Sequence, residues 1–294
     1  MKQRILELQQ IYREGEELLR TAGIDESMID AWYLLEHVTG ISRAMYLANP
    51  RKEIEESQAE EYFSYIRKRM KRIPLQHITG EQEFMGYTFK VNEHVLIPRQ
   101  DTEILVEEAL KYLKSDMKVL DMCTGSGCIL LSLLKMGQER KLLNKLAGTA
   151  VDISENALCV AKENAENLGI SVEFIHSNLF ENVDGIFDMI VSNPPYIRTE
   201  VIEGLQEEVR LHDPFIALDG KEDGLFFYRK IVDEGRKFLK KGGMLLFEIG
   251  HDQGEDVSML MKNAGFDNVV VKKDLAGLDR VVFGVYNDYI CAYK

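Results

Sequence analysis

Met117-Lys118-Val119-Leu120-Asp121-Met122-Cys123-Thr124-Gly125-Ser126-Gly127-Cys128-Ile129 passes from an apolar segment, through a glycine loop, into a segment with helical character. Residues 117–122 are expected to form a buried strand, and residues from about 128 to 136 a helix. A strand, a glycine loop and a helix in that order let a backbone approach a ligand closely. The loop is not G-x-G-x-x-G, because position 130 is Leu, which disfavours a pyrophosphate-binding dehydrogenase.

Working outward, Ala147–Asp152 reads as a second strand ending in an acid about 25 residues beyond the loop. A carboxylate there can accept both ribose hydroxyls of an adenosine. Its structural alternative is to cap the helix expected over about 154–168. A third strand, Ser171–Ile175, leads to Ser177-Asn178-Leu179-Phe180, which places Asn178 and Leu179 where an adenine edge and face could be held.

The fourth strand is Ile186-Phe187-Asp188-Met189-Ile190-Val191-Ser192, and it ends in Asn193-Pro194-Pro195-Tyr196. Each proline fixes its own φ near −65°, and Pro195 pushes Pro194 into an extended conformation. Asn and Pro are common in plain strand-ending turns. Here, however, a stiff loop presents an Asn carbonyl, a main-chain carbonyl and an aromatic face, which together make a receptor for a planar –NH2 group.

Beyond it, 213–220 reads as an ordered loop, and a helix over about 223–240 is closed by Gly242-Gly243. A strand at 244–249, a helix near 252–264 and strands near 268–273 and 280–286 follow. Strands alternating with helices imply a doubly wound α/β sheet, whose ligands sit at the carboxyl ends of the strands. The loop at 123–127, Asp152, Asn178 and Asn193 all fall on that edge.

Upstream, residues 1–72 carry helical periodicity in four segments, with Gly23 and Gly40 as stops and Asp25 as a cap. Residues 73–98 read as a turn-rich linker with a hairpin around Phe84–Val91. Residues 99–294 form the second domain. In Arg99-Gln100-Asp101-Thr102-Glu103, Asp101 or Thr102 can cap a helix running to about 114, whereas Arg99 has no such role.

The net charge of −13 argues against a broad grip on duplex nucleic acid. The basic run Arg67–Arg72 reads as the solvated end of a helix. Cys123, Cys128, Cys159 and Cys291 show no paired C-x-x-C spacing, so neither a metal site nor a disulfide framework is expected. A cytoplasmic protein is expected, since no stretch has signal-peptide or membrane-spanning character.

Taken together, the motifs resemble the HemK/PrmC protein-(glutamine-N5) methyltransferases over nearly the whole chain. The resemblance rests on Pro74–Gly80 with Gly86–Val91, on Ile97–Glu103, on the loop at 121–127, and on Asn193–Tyr196. Ala217–Gly220, Asp223–Arg229, Glu248-Ile249-Gly250 with Gln253, and Leu278-Asp279-Arg280 add to it. It implies a seven-stranded class I (Rossmann-like) methyltransferase domain behind a helical domain that holds the protein substrate. It also implies S-adenosyl-L-methionine as cofactor and, as substrate, the Gln of the Gly-Gly-Gln tripeptide in peptide chain release factors 1 and 2. A monomer without stable nucleic-acid or membrane partners is expected.

In this reading Asp121, Cys123, Thr124, Gly125, Ser126, Gly127, Asp152, Ile153, Asn178, Leu179 and Asn193 hold the cofactor. Asn193 Oδ1 and the Pro194 carbonyl each accept one N–H of the substrate amide, Tyr196 packs on the amide plane, and Pro195 and Arg99 complete the substrate site. The amide nitrogen is a poor nucleophile and the sulfonium methyl a strong electrophile, so positioning within roughly 3 Å is the task, with no metal and no general base. Two positions depart from the family. Cys123 stands where Gly is usual, and Asn178 stands where Asp is frequent. Alternatives are methylation of a ribosomal-protein Gln, methylation of an exocyclic amine in DNA or RNA, and a non-catalytic binding module that keeps the fold.

Overall fold

The computed structural model describes residues 6–140 and 145–287, so Cys291 lies outside the described residues. The chain divides into two compact units, residues 1–80 with 207–212, and residues 81–206 with 213–294.

The first unit is helical: α1 (Leu8–Thr21), α2 (Ser27–Thr39), α3 (Arg43–Ala48), α4 (Glu56–Arg69) and α5 (Leu75–Thr79). Leu8, Ile11, Tyr12, Gly15 and Leu19 form one stripe of α1 and bury it. Gly15 is required there, because a Cβ would lie 2.0 Å from Tyr62 Oη. Asp25 does not cap α2. Glu26 occupies the N-cap without a side-chain bond, while Gly40 closes the helix at φ 66° as expected. The stretch read as turn-rich linker contains α5, one helical turn held between Pro74 and a left-handed Gly80. The basic run is a solvated helix end in Arg67, Lys68 and Lys71, which are exposed, but not in Arg69 or Arg72. Arg69 is buried, with Nε donating to Asp30 at 2.6 Å and Nη1 to Glu208 at 3.1 Å, and Arg72 also donates to Glu208.

The second unit opens with the hairpin β1 (Glu81–Phe84) and β2 (Tyr87–Lys90), followed by α6 (Gln100–Tyr112). Next come β3 (Lys118–Met122), α7 (Cys128–Glu139), β4 (Ala147–Asp152), α8 (Glu155–Leu168), β5 (Glu173–His176) and β6 (Phe187–Ser192). Three short helices follow, α9 (Thr199–Ile202), α10 (Glu207–His212, part of the first unit) and α11 (Phe215–Leu218), the last within the stretch 213–220 that the sequence suggested as a loop. The chain ends through α12 (Phe226–Gly235), β7 (Leu239–Glu248), α13 (Gly254–Asn263), β8 (Phe266–Lys273) and β9 (Asp279–Tyr286).

The seven strands form one sheet in the order β5-β4-β3-β6-β7-β9-β8, parallel except where β9 inserts antiparallel between β7 and β8. Val119 faces a core built with α6 and α7, and the next residue, Leu120, faces one built with α12 and α13. This alternation on a strand buried on both faces defines a doubly wound sheet. Gly148 of β4 accommodates α7, since a Cβ there would come within 2.6 Å of Leu134. The helix expected to reach 240 stops at Gly235. Gly242-Gly243 do not end it but lie inside β7, where the pairing with β6 is irregular and Gly242 takes φ 81°. The chain leaves β3 in opposite directions toward β4 and β6, so the crevice opens where Met122 pairs with Ser192.

Candidate active site

A crevice of about 320 Å³ lies at the carboxyl ends of β3, β4, β5 and β6. Residues expected to hold the cofactor line it: Cys123, Thr124, Gly125, Ser126, Asp152, Ile153, Asn178 and Leu179, together with Asn193. Asp121, Gly127, Pro194 and Tyr196 do not line it.

The loop is tied down bond by bond. Thr124 N donates to Val151 O at 3.0 Å and Gly127 N to Thr124 O at 2.9 Å, which starts α7 with Gly127 at φ 80°. Asp152 accepts from Gly125 N and from Ser154 N, both at 2.9 Å, one on each carboxylate oxygen. It does not cap α8, because Ser154 does so by accepting from Ala157 N. Each Asp152 oxygen keeps a further lone pair for a hydroxyl. Asn178 donates to Glu181 at 2.7 Å, which leaves its carbonyl able to accept.

Beneath the loop, Asp121 is fully buried, accepts from Thr124 Oγ1 at 2.6 Å, and leaves its Oδ1 without a partner. Burial raises its pKa from 3.8 to about 7, with Thr124 and the Leu130 amide opposing the rise. Between about pH 4 and 7 the native protein therefore holds a proton that the unfolded chain has released, so this group's contribution to stability falls as pH rises across that window. Asp121→Asn should remove that share of the decline. Urea midpoints compared at several pH values between 4.5 and 7.5 check it, and unchanged slopes would refute it.

Cys123 adopts φ 63°, the left-handed region. Burial, and then the Asp152 and Asp121 carboxylates, push its thiol up, so it is neutral. A side chain in this conformation costs roughly 1–2 kcal/mol. Cys123→Gly recovers that strain but loosens the unfolded chain by about 0.4–1 kcal/mol. A net stabilisation of about 0.5–1 kcal/mol in urea unfolding is expected, with Cys123→Ala giving none.

Ser192 Oγ donates to Met122 O at 2.6 Å, locking the ends of β6 and β3 together just before Asn193. Asn193 Nδ2 donates to Thr102 Oγ1 at 3.4 Å, and among the described residues no donor reaches Oδ1. The following loop is clamped from below. Ile197 N donates to Leu218 O, Gly220 N donates to Ile197 O, and buried Gln253 donates through Nε2 to Tyr196 O at 3.1 Å and Gly224 O at 3.3 Å. Pro195 lines the crevice and Pro194 is buried. The Tyr196 ring packs into the apolar cluster shared with α12, and its hydroxyl donates to Glu248 Oε1 at 3.3 Å. Glu248 is 2 % exposed, and burial raises its pKa to about 7, against the opposing pull of Thr102, Arg280 and Tyr196.

Arg99 also lines the crevice, and it has a structural partner the sequence did not suggest, donating to the fully buried Asp213 carboxyl at 2.8 Å. It occupies the N-cap of α6, so Asp101 and Thr102 lie inside the first turn and cap nothing. Asp101 instead pairs with Arg280 at 3.1 Å. Ile216 and Phe226 line the crevice with their side chains exposed, a placement that hydrophobic periodicity gave no reason to expect. Thr102, Gln253 and Glu248 stand in stretches that carry the family resemblance, but the sequence assigned them no role in building the site, because their partners lie far away in the chain.

The PrmC N-terminal domain family matches residues 10–80, and the methyltransferase small domain family matches residues 100–215. The release factor glutamine methyltransferase of Clostridium acetobutylicum is 42% identical over 265 residues, covering 88% of this chain and 91% of that protein. Its counterpart in Caulobacter vibrioides is 40% identical over 287 residues, covering 96% and 97%. The chain belongs to the release factor glutamine methyltransferase family. A 16S rRNA N2 G1207 methyltransferase of T. thermophilus, solved with AdoMet and guanosine, is similar at a TM-score of 0.51 and 17% identity, covering 70% of this chain and 50% of that one. That likeness is one of fold alone, and it fits the class I methyltransferase sheet described above. As the resemblance implied, the family is one of S-adenosylmethionine-dependent enzymes. Among the described residues no helix is long and apolar enough to cross a membrane, and no group of His, Cys, Asp and Glu could hold a metal ion.

Proposed function

We infer that this protein transfers a methyl group from S-adenosyl-L-methionine to the side-chain amide nitrogen of the Gln in the Gly-Gly-Gln tripeptide of peptide chain release factors. The crevice suits the cofactor. Asp121 anchors the loop from beneath through Thr124, the Asp152 lone pairs suit ribose hydroxyls, and Ile153, Leu179 and the Asn178 carbonyl suit an adenine. S-adenosyl-L-methionine, when bound, supplies a methyl carbon activated by its sulfonium.

The chain's own contribution is to hold the acceptor amide. Asn193 Oδ1 and the Pro194 carbonyl each accept one of its N–H groups, Pro195 and Arg99 border it, and Tyr196, whose ring packs into the cluster with α12, stiffens the receptor loop from behind. As positive charge develops on the amide nitrogen these acceptors bind it more strongly, which lowers the barrier selectively. The methylated nitrogen can lose its proton to water. The observation that carries this reading is the Asn193 amide held by its nitrogen end, which leaves its oxygen to a donor in the crevice.

Both release factors 1 and 2 serve as substrates, in the cytoplasm and with the enzyme as a monomer. The helical domain, residues 1–72, holds the release factor. Labelled S-adenosylmethionine is incubated with purified release factors, a ribosomal-protein fraction and nucleic acid, followed by peptide mapping. Label on the tripeptide Gln supports the reading. Label on nucleic acid or a ribosomal protein alone rejects it.

A further inference from the structure

Glu248 ends β7 as a buried carboxyl that neither the cofactor loop nor the amide receptor uses directly. Tyr196 Oη donates to its Oε1 at 3.3 Å. Glu248 Oε2 is buried and closes no hydrogen bond, and the Thr102 hydroxyl, in the first turn of α6, is near enough to pull the Glu248 pKa down. Thr102, itself 2 % exposed, is also the acceptor for Asn193 Nδ2. The order Glu248, Thr102, Asn193 therefore runs from β7 through α6 to the crevice.

We propose that Glu248 is a positioning residue that decides which end of the Asn193 amide faces the crevice. The inference rests on the amide-receptor reading of Asn193 given above. A carboxylate only accepts, and a hydroxyl has one hydrogen. With Glu248 ionised, the Thr102 hydrogen is drawn to Oε2 and only lone pairs remain toward Asn193. Asn193 must then offer Nδ2 to Thr102 and keep Oδ1 for the substrate. With Glu248 protonated, its own hydrogen can go to Thr102, and the Thr102 hydrogen is free to donate to Asn193 Oδ1. The amide then turns and presents an –NH2 to the substrate –NH2, and two donors cannot pair. The two ends of an Asn side chain are nearly identical in shape, so packing alone does not choose between them. A buried acid does. The same carboxylate oxygen that takes the Tyr196 hydrogen restrains that ring.

The groups facing Glu248 are Asp101 on α6, Tyr196 after β6, Tyr228 on α12, Cys128 on α7 and Arg280 on β9. Tyr228 is committed to the Glu248 main-chain carbonyl at 2.9 Å, and Arg280 is shared with Asp101 and Asp274. With its pKa raised to about 7, the carboxyl changes state around that pH, and the productive orientation accumulates as pH rises through it.

The test measures methyl transfer to release factor from labelled S-adenosylmethionine between pH 6 and 9 for the wild type, Glu248→Gln, Thr102→Val and Thr102→Ser. Calorimetric cofactor binding reports whether each variant is folded. Glu248→Gln, whose amide offers either polarity, should lose about 10–100-fold in kcat, as expected for a misplaced reacting group. Its KM for the cofactor should stay within about twofold, since no cofactor contact is removed. The wild-type rise in kcat through about pH 7 should be absent in this variant. Thr102→Val should behave alike, and Thr102→Ser, which keeps the hydroxyl, should be less impaired. An active wild type whose rate and pH profile are matched by Glu248→Gln overturns this inference alone. A wild type that leaves the tripeptide Gln unmethylated overturns the amide-receptor reading and this inference with it.

Discussion

Asn193→Ala is expected to slow methyl transfer by at least about 100-fold, a barrier increase of roughly 3 kcal/mol, comparable to removing one preorganised oxyanion donor. The truncation deletes the side-chain acceptor and leaves only the Pro194 carbonyl, so one substrate N–H faces an apolar wall. The lost interaction strengthens as charge grows on the nitrogen, so the deficit should appear mainly in kcat rather than in KM for the release factor. Cofactor affinity should fall less than the transfer rate, because Asn193 is one of several cofactor-side residues, and the loop at 123–127 and Asp152 are bonded among themselves and not to it. Single-turnover rates with saturating release factor measure it. Near-normal transfer by this variant would remove Asn193 from the mechanism.

Gly224→Ala should be the most damaging substitution outside the crevice. Gly224 takes φ 74°, and a Cβ there would sit 2.5 Å from Tyr196 O and 2.7 Å from Gln253 Nε2. The left-handed conformation costs an alanine about 1–2 kcal/mol, and forcing an atom into packed surroundings adds about 1–3 kcal/mol. A loss of about 2–5 kcal/mol is expected in urea unfolding. The overlap falls on the backbone oxygen that Gln253 holds, so the Asn193–Tyr196 loop shifts and transfer should fall together with stability. Gly220 is similarly tight, with a Cβ 2.7 Å from Tyr196 Cα, and Gly220→Ala should behave in the same direction. A Gly224→Ala protein with an unchanged midpoint would show that the loop is not clamped in this way.

The strand reading of 117–122, 147–152 and 186–192 depended on local apolar runs, and the sheet keeps those strands adjacent with only small shifts at their ends. Local signals were less informative where long-range packing decides. Gly242-Gly243 look like a helix stop, yet they sit inside β7, in the irregular stretch between its paired residues Leu239 and Met244, where Gly242 at φ 81° uses the backbone freedom of glycine. Arg67–Arg72 look solvated, yet Arg69 is buried because Asp30, 39 residues away, and Glu208, 139 residues away, converge on it. Asp101 and Thr102 look like caps, yet the N-cap of α6 is Arg99, two residues before Asp101, and Thr102 is buried.

By itself the sequence determined the class of sheet, the edge on which ligands gather, and the residues whose chemistry suits a cofactor and a planar amide. These follow from periodicity, from proline and glycine backbone limits, and from functional groups close together along the chain. Only the tertiary structure decided what holds those groups in place. Gln253 and Gly224 grip the Tyr196 backbone, Asp213 takes Arg99, and Thr102 and Glu248 stand behind Asn193. Each is a hydrogen bond or a steric limit between residues far apart in the chain. Such a bond carries no periodic signature, because it forms only once folding has brought both partners out of water.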